Sequence, residues 1–460
     1  MFFEQISTPG LGCYSYAIGC PSGGVMAVVD PRRDIDVYLR IAAENGMRIT
    51  HIFDTHVHAD HISGAQDLRA STHADIYIHE SAPVKYEAKK LKNGDEFEFG
   101  YVTVNTLHTP GHTPNSVSLL ITDTTRSPEP EMILTGDLLF VGDIGRPDLP
   151  GAEILDEQVE NLYNSLYKTL WALPDYLEVY PSHGQGSLCG QGMSAKPFTT
   201  LGYERLANPM LQFPDFAGFK SAILSKFPMR PQSFPSIINT NMNGAALVPE
   251  RNLAELAKYA LSADKADELR KDGALLLDLR NALAYGVAHI PGSINVDFSD
   301  GPKLNWLGVA VPPGVPLVLI LPSDNNFEEI CVELRRIGYD TIKGWLKDGI
   351  HAWIDSDRET QSLPYLSASD LRMRLAGPNH PVMLDVRSPE EFKSMKIEGS
   401  INLTFDRIME QSTCPVNPDK EVIVICQSGF RAGIAASILR AQGCIHVSIL
   451  SGGVNAWLRT

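Results

Sequence analysis

The chain has 460 residues, a formal net charge of −16 and 43% hydrophobic residues. At roughly 150 residues per domain that length accommodates about three globular domains, the acidic balance disfavours nucleic acid as a partner, and no run of about eighteen apolar residues is present to span a bilayer. Seven cysteines, odd in number and without a Cys-x-x-Cys pair, argue against a disulfide framework and for a reducing, cytoplasmic location. Met1-Phe-Phe-Glu-Gln5 has no basic stretch ahead of a long apolar one, so no secretory signal is expected.

In chain order, four strand-like segments each end on a side chain able to bind a metal. Ile52-Phe53 leads into Asp54-Thr-His-Val-His-Ala-Asp-His61, which packs His56, His58, Asp60 and His61 into six residues. Val102-Thr-Val104 precedes His112, Met132-Ile-Leu134 precedes Asp137, and Leu177-Glu-Val-Tyr180 precedes His183. A single histidine on an apolar face is usually a satisfied core residue; the clustering is what predicts a metal, because loops leaving one edge of a sheet can converge there. Gly111 and Gly136, beside two of these residues, allow close approach of backbone.

This constellation resembles the metallo-β-lactamase superfamily over about residues 1 to 200. The resemblance implies an αββα sandwich with a metal site at one edge, but not which metal, since one fold hosts many chemistries. Two readings stay open. One is a two-zinc, glyoxalase II-like thioester hydrolase using all seven ligands. The other is a single Fe(II) per chain held by His56, His112 and Asp137, the facial arrangement of non-haem oxygenases, with His58, Asp60, His61 and His183 around it as orienting groups or second-metal ligands. Gly142-Asp-Ile-Gly-Arg-Pro-Asp-Leu149 resembles a stretch of the persulfide dioxygenase family, which implies an anionic substrate against Arg146; a structural ion pair is the alternative for that residue. Cys189, six residues past His183, either faces the metal cleft as a persulfide acceptor or is a small core residue.

From about 190 to 260, Pro197, Pro209, Pro214, Pro228, Pro231 and Pro235 interrupt any regular pattern, and the segment is expected to pack on the metal domain. Residues 261 to 460 then contain an internal repeat. Leu275-Leu-Leu-Asp-Leu-Arg280 and Ile290-Pro-Gly-Ser-Ile-Asn295 match Val382-Met-Leu-Asp-Val-Arg387 and Ile397-Glu-Gly-Ser-Ile-Asn402 at a constant offset of 107. Each copy continues with a fully apolar strand, Leu317-Val-Leu-Ile320 or Val422-Ile-Val-Ile425. A helix with one apolar stripe follows, ended by Gly338 or Gly443. Asp355-Ser-Asp-Arg-Glu-Thr-Gln-Ser-Leu-Pro364 has the polarity of a linker between the copies.

In the second copy Cys426-Gln-Ser-Gly-Phe-Arg431 joins strand to helix, a placement in which backbone N–H groups near a helix N-terminus stabilise a thiolate. The repeat resembles the rhodanese family, and the six-residue loop has the length found in sulfurtransferases. The resemblance implies a persulfide nucleophile at Cys426 and an anion clamp at Arg431. In the first copy Leu321 and Asn326 fall at those positions, so that copy is read as catalytically silent. Cys13, Cys20, Cys414 and Cys444 carry no expected role.

The expected architecture is α/β and multidomain: a metallo-β-lactamase-like αββα sandwich over residues 1–250, an inactive rhodanese-like parallel α/β domain over 261–358 and an active one over 365–460. That order resembles persulfide dioxygenase and rhodanese fusions. It implies Fe(II)- and O₂-dependent oxidation of a low-molecular-weight thiol persulfide to sulfite, with Cys426 exchanging sulfane sulfur with thiosulfate or a thiol. A non-catalytic persulfide carrier is a further alternative. Neither membrane nor nucleic acid is expected as a partner, and a homo-oligomer stays open.

Overall fold

A computed structural model describes residues 1–190, 192–225, 227, 229–248, 258–299, 301–378 and 380–460. The chain divides into two compact units, residues 1–250 and 251–460, with 335–338 grouped in the first.

In the first unit, alternating and fully apolar strands build two six-stranded sheets among the described residues. One runs Phe2–Thr8, Cys13–Cys20, Val25–Val29, Arg48–Phe53, Asp75–His79 and Lys89–Leu91 in spatial order; the other runs Thr199–Thr200, Glu178–Pro181, Met132–Gly136, Val117–Asp123, Val102–His108 and Glu96–Phe99. Their inner faces share one core that includes Tyr16, Ile18, Val29, Phe53, Val104, Leu119, Ile121 and Leu134. Helices cover the outer faces. Tyr38 and Ile41 of Asp36–Glu44, with Leu68 of Ala65–Thr72, bury against the first sheet. Val159 and Leu162 of Leu155–Asn164, with Phe219 and Ile223 of Phe216–Leu224, bury against the second. The result is the αββα sandwich expected.

Strand direction explains why the ligand-bearing loops meet. Val102–His108 and Met132–Gly136 are each antiparallel to Val117–Asp123, and Met132–Gly136 is parallel to Glu178–Pro181, so these three strands release their chain at one edge of the sheet. Gly136 turns there at φ 53°, and Gly111, at φ 147°, sits where a Cβ would lie 2.4 Å from the Leu162 Cα. Neither backbone position accepts a larger residue without displacement.

The proline-interrupted region is more regular than its sequence reads. Helices Leu201–Ala207, Phe216–Leu224 and Ser233–Asn243 occupy it. Pro209 begins a short 3₁₀ turn and Pro235 lies in the first turn of its helix, where no N–H partner is lost. Pro228 lies outside the described residues.

Among its described residues the second unit holds two five-stranded parallel sheets of identical order. Ala260–Leu261, Ile342–Leu346, Leu317–Ile320, Leu275–Asp278 and Ile294–Asn295 form one; Tyr365–Leu366, His446–Leu450, Glu421–Ile425, Val382–Asp385 and Ile401–Asn402 form the other. Asp278 pairs in register with Ile320 as Asp385 does with Ile425, which places Leu321 and Cys426 at equivalent points. The helix stripes Phe327, Ile330, Cys331, Leu334 and Ile337, and Ile434, Ala435, Ile438 and Leu439, are buried.

Two expectations change here. The polar joint after Asp355 is not a free linker: Arg358 pairs with Asp264 and Asp267, Gln361 bridges to His289 through backbone, and Leu363 is buried. Cys414 and Cys444 form a disulfide. An odd cysteine count does not preclude a pair, and these two lie 30 positions apart in sequence, beyond the reach of a local pattern. The inference of a reducing compartment from unpaired cysteines therefore loses its premise. No helix among the described residues is long and apolar enough to cross a membrane.

Candidate functional site

The four ligand-bearing loops converge, and His56, His58, Asp60, His61, His112, Asp137 and His183 are all buried. Within this group the side chains divide by what their polar atoms contact. His56 Nε2, His112 Nε2 and Asp137 Oδ2 have no hydrogen-bond partner. The Asp137 oxygen lies 3.9 Å from His56 Nε2 and 3.4 Å from His112 Nε2, the spacing of atoms arranged about a common ion some 2 Å from each. Burial pushes the pKa of His56 well below and that of His112 below the ordinary value, so both present a neutral nitrogen lone pair. Each ring is oriented from behind. His112 Nδ1–H donates to the Arg146 carbonyl at 2.8 Å, and His56 Nδ1 lies 2.9 Å from Thr55 Oγ1.

The other four groups engage one another and their neighbours. His183 donates through Nδ1 to Asp137 Oδ1 at 2.5 Å and through Nε2 to Asp60 Oδ2 at 2.8 Å. His61 Nδ1 lies 3.2 Å from Asp60 Oδ1. His58 Nε2 lies 3.1 Å from Asp30 Oδ1, while its Nδ1 has no partner. Burial works against protonation of these three rings, but the facing carboxylates outweigh it: Asp30 holds His58 up at about 9, Asp60 holds His61 up at about 9, and Asp137 raises His183 well above its ordinary range.

Three supporting residues carry no sequence expectation. Asp30, at the end of Val25–Val29 and at φ 50°, accepts from Thr55 N, Thr55 Oγ1, Ser182 Oγ and His58. It is another acid ending an apolar strand, the same signal that marks the ligands. Asn241 of Ser233–Asn243 donates to the carbonyls of His58 and His61 at 2.9 and 2.8 Å and accepts from Ser63 N. Cys13 donates its thiol proton to Asp60 Oδ2 at 2.9 Å, and burial raises its pKa.

Arg146 is buried and forms an ion pair, the alternative given for it from the sequence. Its guanidinium is bidentate with Asp148, at 2.7 Å on each side, and reaches the carbonyls of Leu188 and Met229. The donors that would grip an anionic substrate are spent on the protein, which leaves the residue as a brace whose own carbonyl orients His112. Cys189 is buried beside the metal-ligand cluster. It packs with Phe140 and Met193, lies with Asp137 and His183 in one cluster of ligand atoms, and lines a cavity of about 220 Å³ with Arg146 and Ile144. Burial pushes its thiol up to about 12.

In the second unit Cys426 leaves Glu421–Ile425 buried, and its sulfur accepts from Gly429 N–H at 3.1 Å. Gly429, at φ 107°, turns the chain into helix Phe430–Ala441. Arg431, expected as an anion clamp, is bidentate with Glu391 at 2.7 and 2.6 Å.

A buried group of side chains able to hold a metal on an αββα sandwich, followed by two parallel α/β domains of which one bears a loop cysteine, defines the class: a potential metal site at a sandwich edge joined to a duplicated parallel α/β module. The Metallo-beta-lactamase superfamily matches residues 8–183, and the Rhodanese-like domain matches twice, at 262–356 and 367–460. A crystal structure of a metallo-β-lactamase from Staphylococcus aureus subsp. aureus COL is 32% identical with a TM-score of 0.68, covering 75% of this chain and 99% of that one. Persulfide dioxygenase ETHE1, mitochondrial, of Bos taurus is 27% identical over 216 residues, 46% of this chain and 76% of the relative. Hydroxyacylglutathione hydrolase of Dictyostelium discoideum is 30% identical over 173 residues, 37% of this chain and 61% of the relative. The chain belongs to the metallo-β-lactamase superfamily and carries two rhodanese-like domains.

Proposed function

We propose that the N-terminal site binds one Fe(II) through His56, His112 and Asp137 and oxidises the outer sulfur of a low-molecular-weight thiol persulfide, while Cys426 transfers sulfane sulfur to or from thiosulfate. The observation that carries this reading is the division of the buried cluster: three unpartnered atoms, on His56, His112 and Asp137, face one point, Asp60, His61 and His183 are hydrogen-bonded among themselves, to Asp137 and to Cys13, and His58 Nδ1 is a further atom without a partner. Two neutral imidazoles and one carboxylate fit a facial triad, and Fe(II) held there supplies open positions for dioxygen and a sulfur ligand. One persulfide, one O₂ and one water give the free thiol, sulfite and two protons.

The chain's own groups would do the rest. The Arg146 carbonyl and Thr55 hold the two imidazoles in orientation. Asp137 remains ionised through His183, and Cys189 faces the same space. In the second unit the Cys426 thiolate attacks the outer sulfur of a persulfide or thiosulfate. The donor's sulfur–sulfur bond breaks, a new one forms to Cys426, and thiol or sulfite leaves. The pairing has a chemical reason, since one domain consumes sulfane sulfur and the other moves it. Likeness to a persulfide dioxygenase and to rhodanese domains supports the assignment.

The test is metal analysis of protein purified without oxygen, followed by oxygen uptake with glutathione persulfide. We expect one iron per chain and uptake that depends on it. Two zincs per chain with thioester hydrolysis and no uptake would replace this reading with the hydrolase. Cys426→Ser is expected to abolish sulfur exchange and leave oxygen uptake intact; sulfur loading at Cys426 with neither activity would leave only a carrier.

A further inference from the structure

The two rhodanese-like copies serve as each other's control. Their framework is the same: Arg280 is bidentate with Asp278 as Arg387 is with Asp385. Asn295 and Asn402 donate to the equivalent pairs of carbonyls, Asp278 and Arg280 in one copy, Asp385 and Arg387 in the other. The helix that follows is capped in both, by Asn281 in the first and Ser388 in the second. Three positions differ together. Where the second copy has Cys426, Arg431 and Glu391, the first has Leu321, Asn326 and Ala284. An ion pair required by the fold would be present in both copies, as the Asp–Arg pair is. The Glu391–Arg431 pair occurs only where the reactive sulfur does.

Charge around that sulfur is correspondingly balanced. Arg387 spends its guanidinium on Asp385, the Met395 carbonyl and Gln427 Oε1. Arg431, five residues from Cys426, spends its own on both oxygens of Glu391. Both guanidiniums are therefore paired with a carboxylate. Thiosulfate is a dianion and must approach a thiolate; it gains most from an unpaired cation at the mouth. The reacting end of an organic persulfide carries at most one charge and gains less.

Resting on the reading of Cys426 as a sulfur-transfer nucleophile, we propose that Glu391 sets the donor preference of the site: by holding Arg431 in a closed pair it favours organic persulfides over thiosulfate. Glu391 is a positioning residue, acting through Arg431. The sulfur-transfer step itself is unchanged, with one sulfur–sulfur bond broken and one formed and no net oxidation.

Glu391→Gln isolates the charge, because the Gln carbonyl can still accept from Ser388 N–H, as Glu391 Oε2 does at 3.0 Å, and so keep the capping box. In the full chain, with cyanide as common acceptor, the ratio of kcat/KM for thiosulfate to kcat/KM for glutathione persulfide should rise about tenfold in E391Q. The gain should appear in KM for thiosulfate, shrink as salt is raised, and vanish in the double variant E391Q/R431Q. Oxygen uptake equal to wild type verifies that the chain is intact. A ratio within twofold of wild type, or a gain that survives in the double variant, overturns the proposal while leaving Cys426 as the nucleophile. Wild-type protein that transfers sulfur from neither donor overturns the sulfur-transfer reading itself, and this proposal with it.

Discussion

His112 and Arg146 are joined through a backbone carbonyl: the ring's Nδ1 lies 2.8 Å from the Arg146 oxygen. A carbonyl only accepts, so Nδ1 must carry the proton and Nε2 is left as the free lone pair facing Asp137. The position of that carbonyl depends in turn on the Arg146 side chain, which is anchored by Asp148. Asp148→Ala is therefore expected to weaken iron binding 10- to 100-fold with little change in persulfide KM at saturating metal. Iron titration of the apoprotein checks this. A raised KM with unchanged iron affinity would return Arg146 to the role of substrate anchor.

The reach of the sequence follows from the range of the interactions. His56, His112, Asp137, His183 and Cys426 are legible because each lies within about four residues of the end of a strand whose apolar pattern is local. The repeat is legible because its framework residues recur at one offset. Contacts that join distant segments leave no local trace. Cys13 meets Asp60 across 47 positions, and Asn241 meets His58 across 183. The same holds for Arg431: its place in the loop is visible, but its partner Glu391, 40 residues earlier, redirects the charge. Proline spacing misleads from 190 to 260 because a proline in a first turn or between helices costs nothing there.

Cys414 and Cys444 close a loop of about 30 residues in the domain that carries Cys426. Restricting the unfolded chain over that length contributes about 3–4 kcal/mol on the chain-entropy account. Cys414→Ser/Cys444→Ser should lower the denaturant midpoint of the C-terminal unit accordingly, without altering iron content. An unchanged midpoint would mean that the pair contributes no net constraint.

His289 gives the second unit a specific acid sensitivity. It is buried against Tyr285, with ring centroids 4.0 Å apart. Burial, with the Arg440 and Arg280 charges, pushes its pKa down to about 4, although the Tyr285 carbonyl favours the protonated ring. In the unfolded chain the ring titrates near 6.5. Between these values the unfolded state binds more protons, so stability is complete above about pH 6.5 and falls as pH drops towards 4, by roughly 2–3 kcal/mol from this residue. Urea unfolding of wild type and His289→Gln at pH 7.5 and pH 5 checks the sign: the wild type should lose more stability on acidification. Equal losses would contradict a neutral buried ring.

Trp306 supplies a reason for a silent copy to accompany the active one. It lies on helix Lys303–Ala310 of the first rhodanese-like copy, and its ring centroid is 5.3 Å from Phe405 and 6.3 Å from Phe430 of the second. Phe430 is the residue between Gly429 and Arg431 in the loop that holds the reactive sulfur. Trp306 thus buttresses the loop from the neighbouring copy, which also offers the Ala282 carbonyl to Tyr365 Oη–H and donates the Asn295 N–H to Ser437 Oγ. Truncating a half-buried aromatic side chain removes less than the about 3–5 kcal/mol of a fully buried one, and the loss here falls beside a loop that must hold its geometry to react. Trp306→Ala should therefore lower sulfur transfer at Cys426 several-fold and leave oxygen uptake at wild-type level, while Trp306→Phe recovers most of the transfer. Undiminished transfer in Trp306→Ala would show that the loop stands without its neighbour.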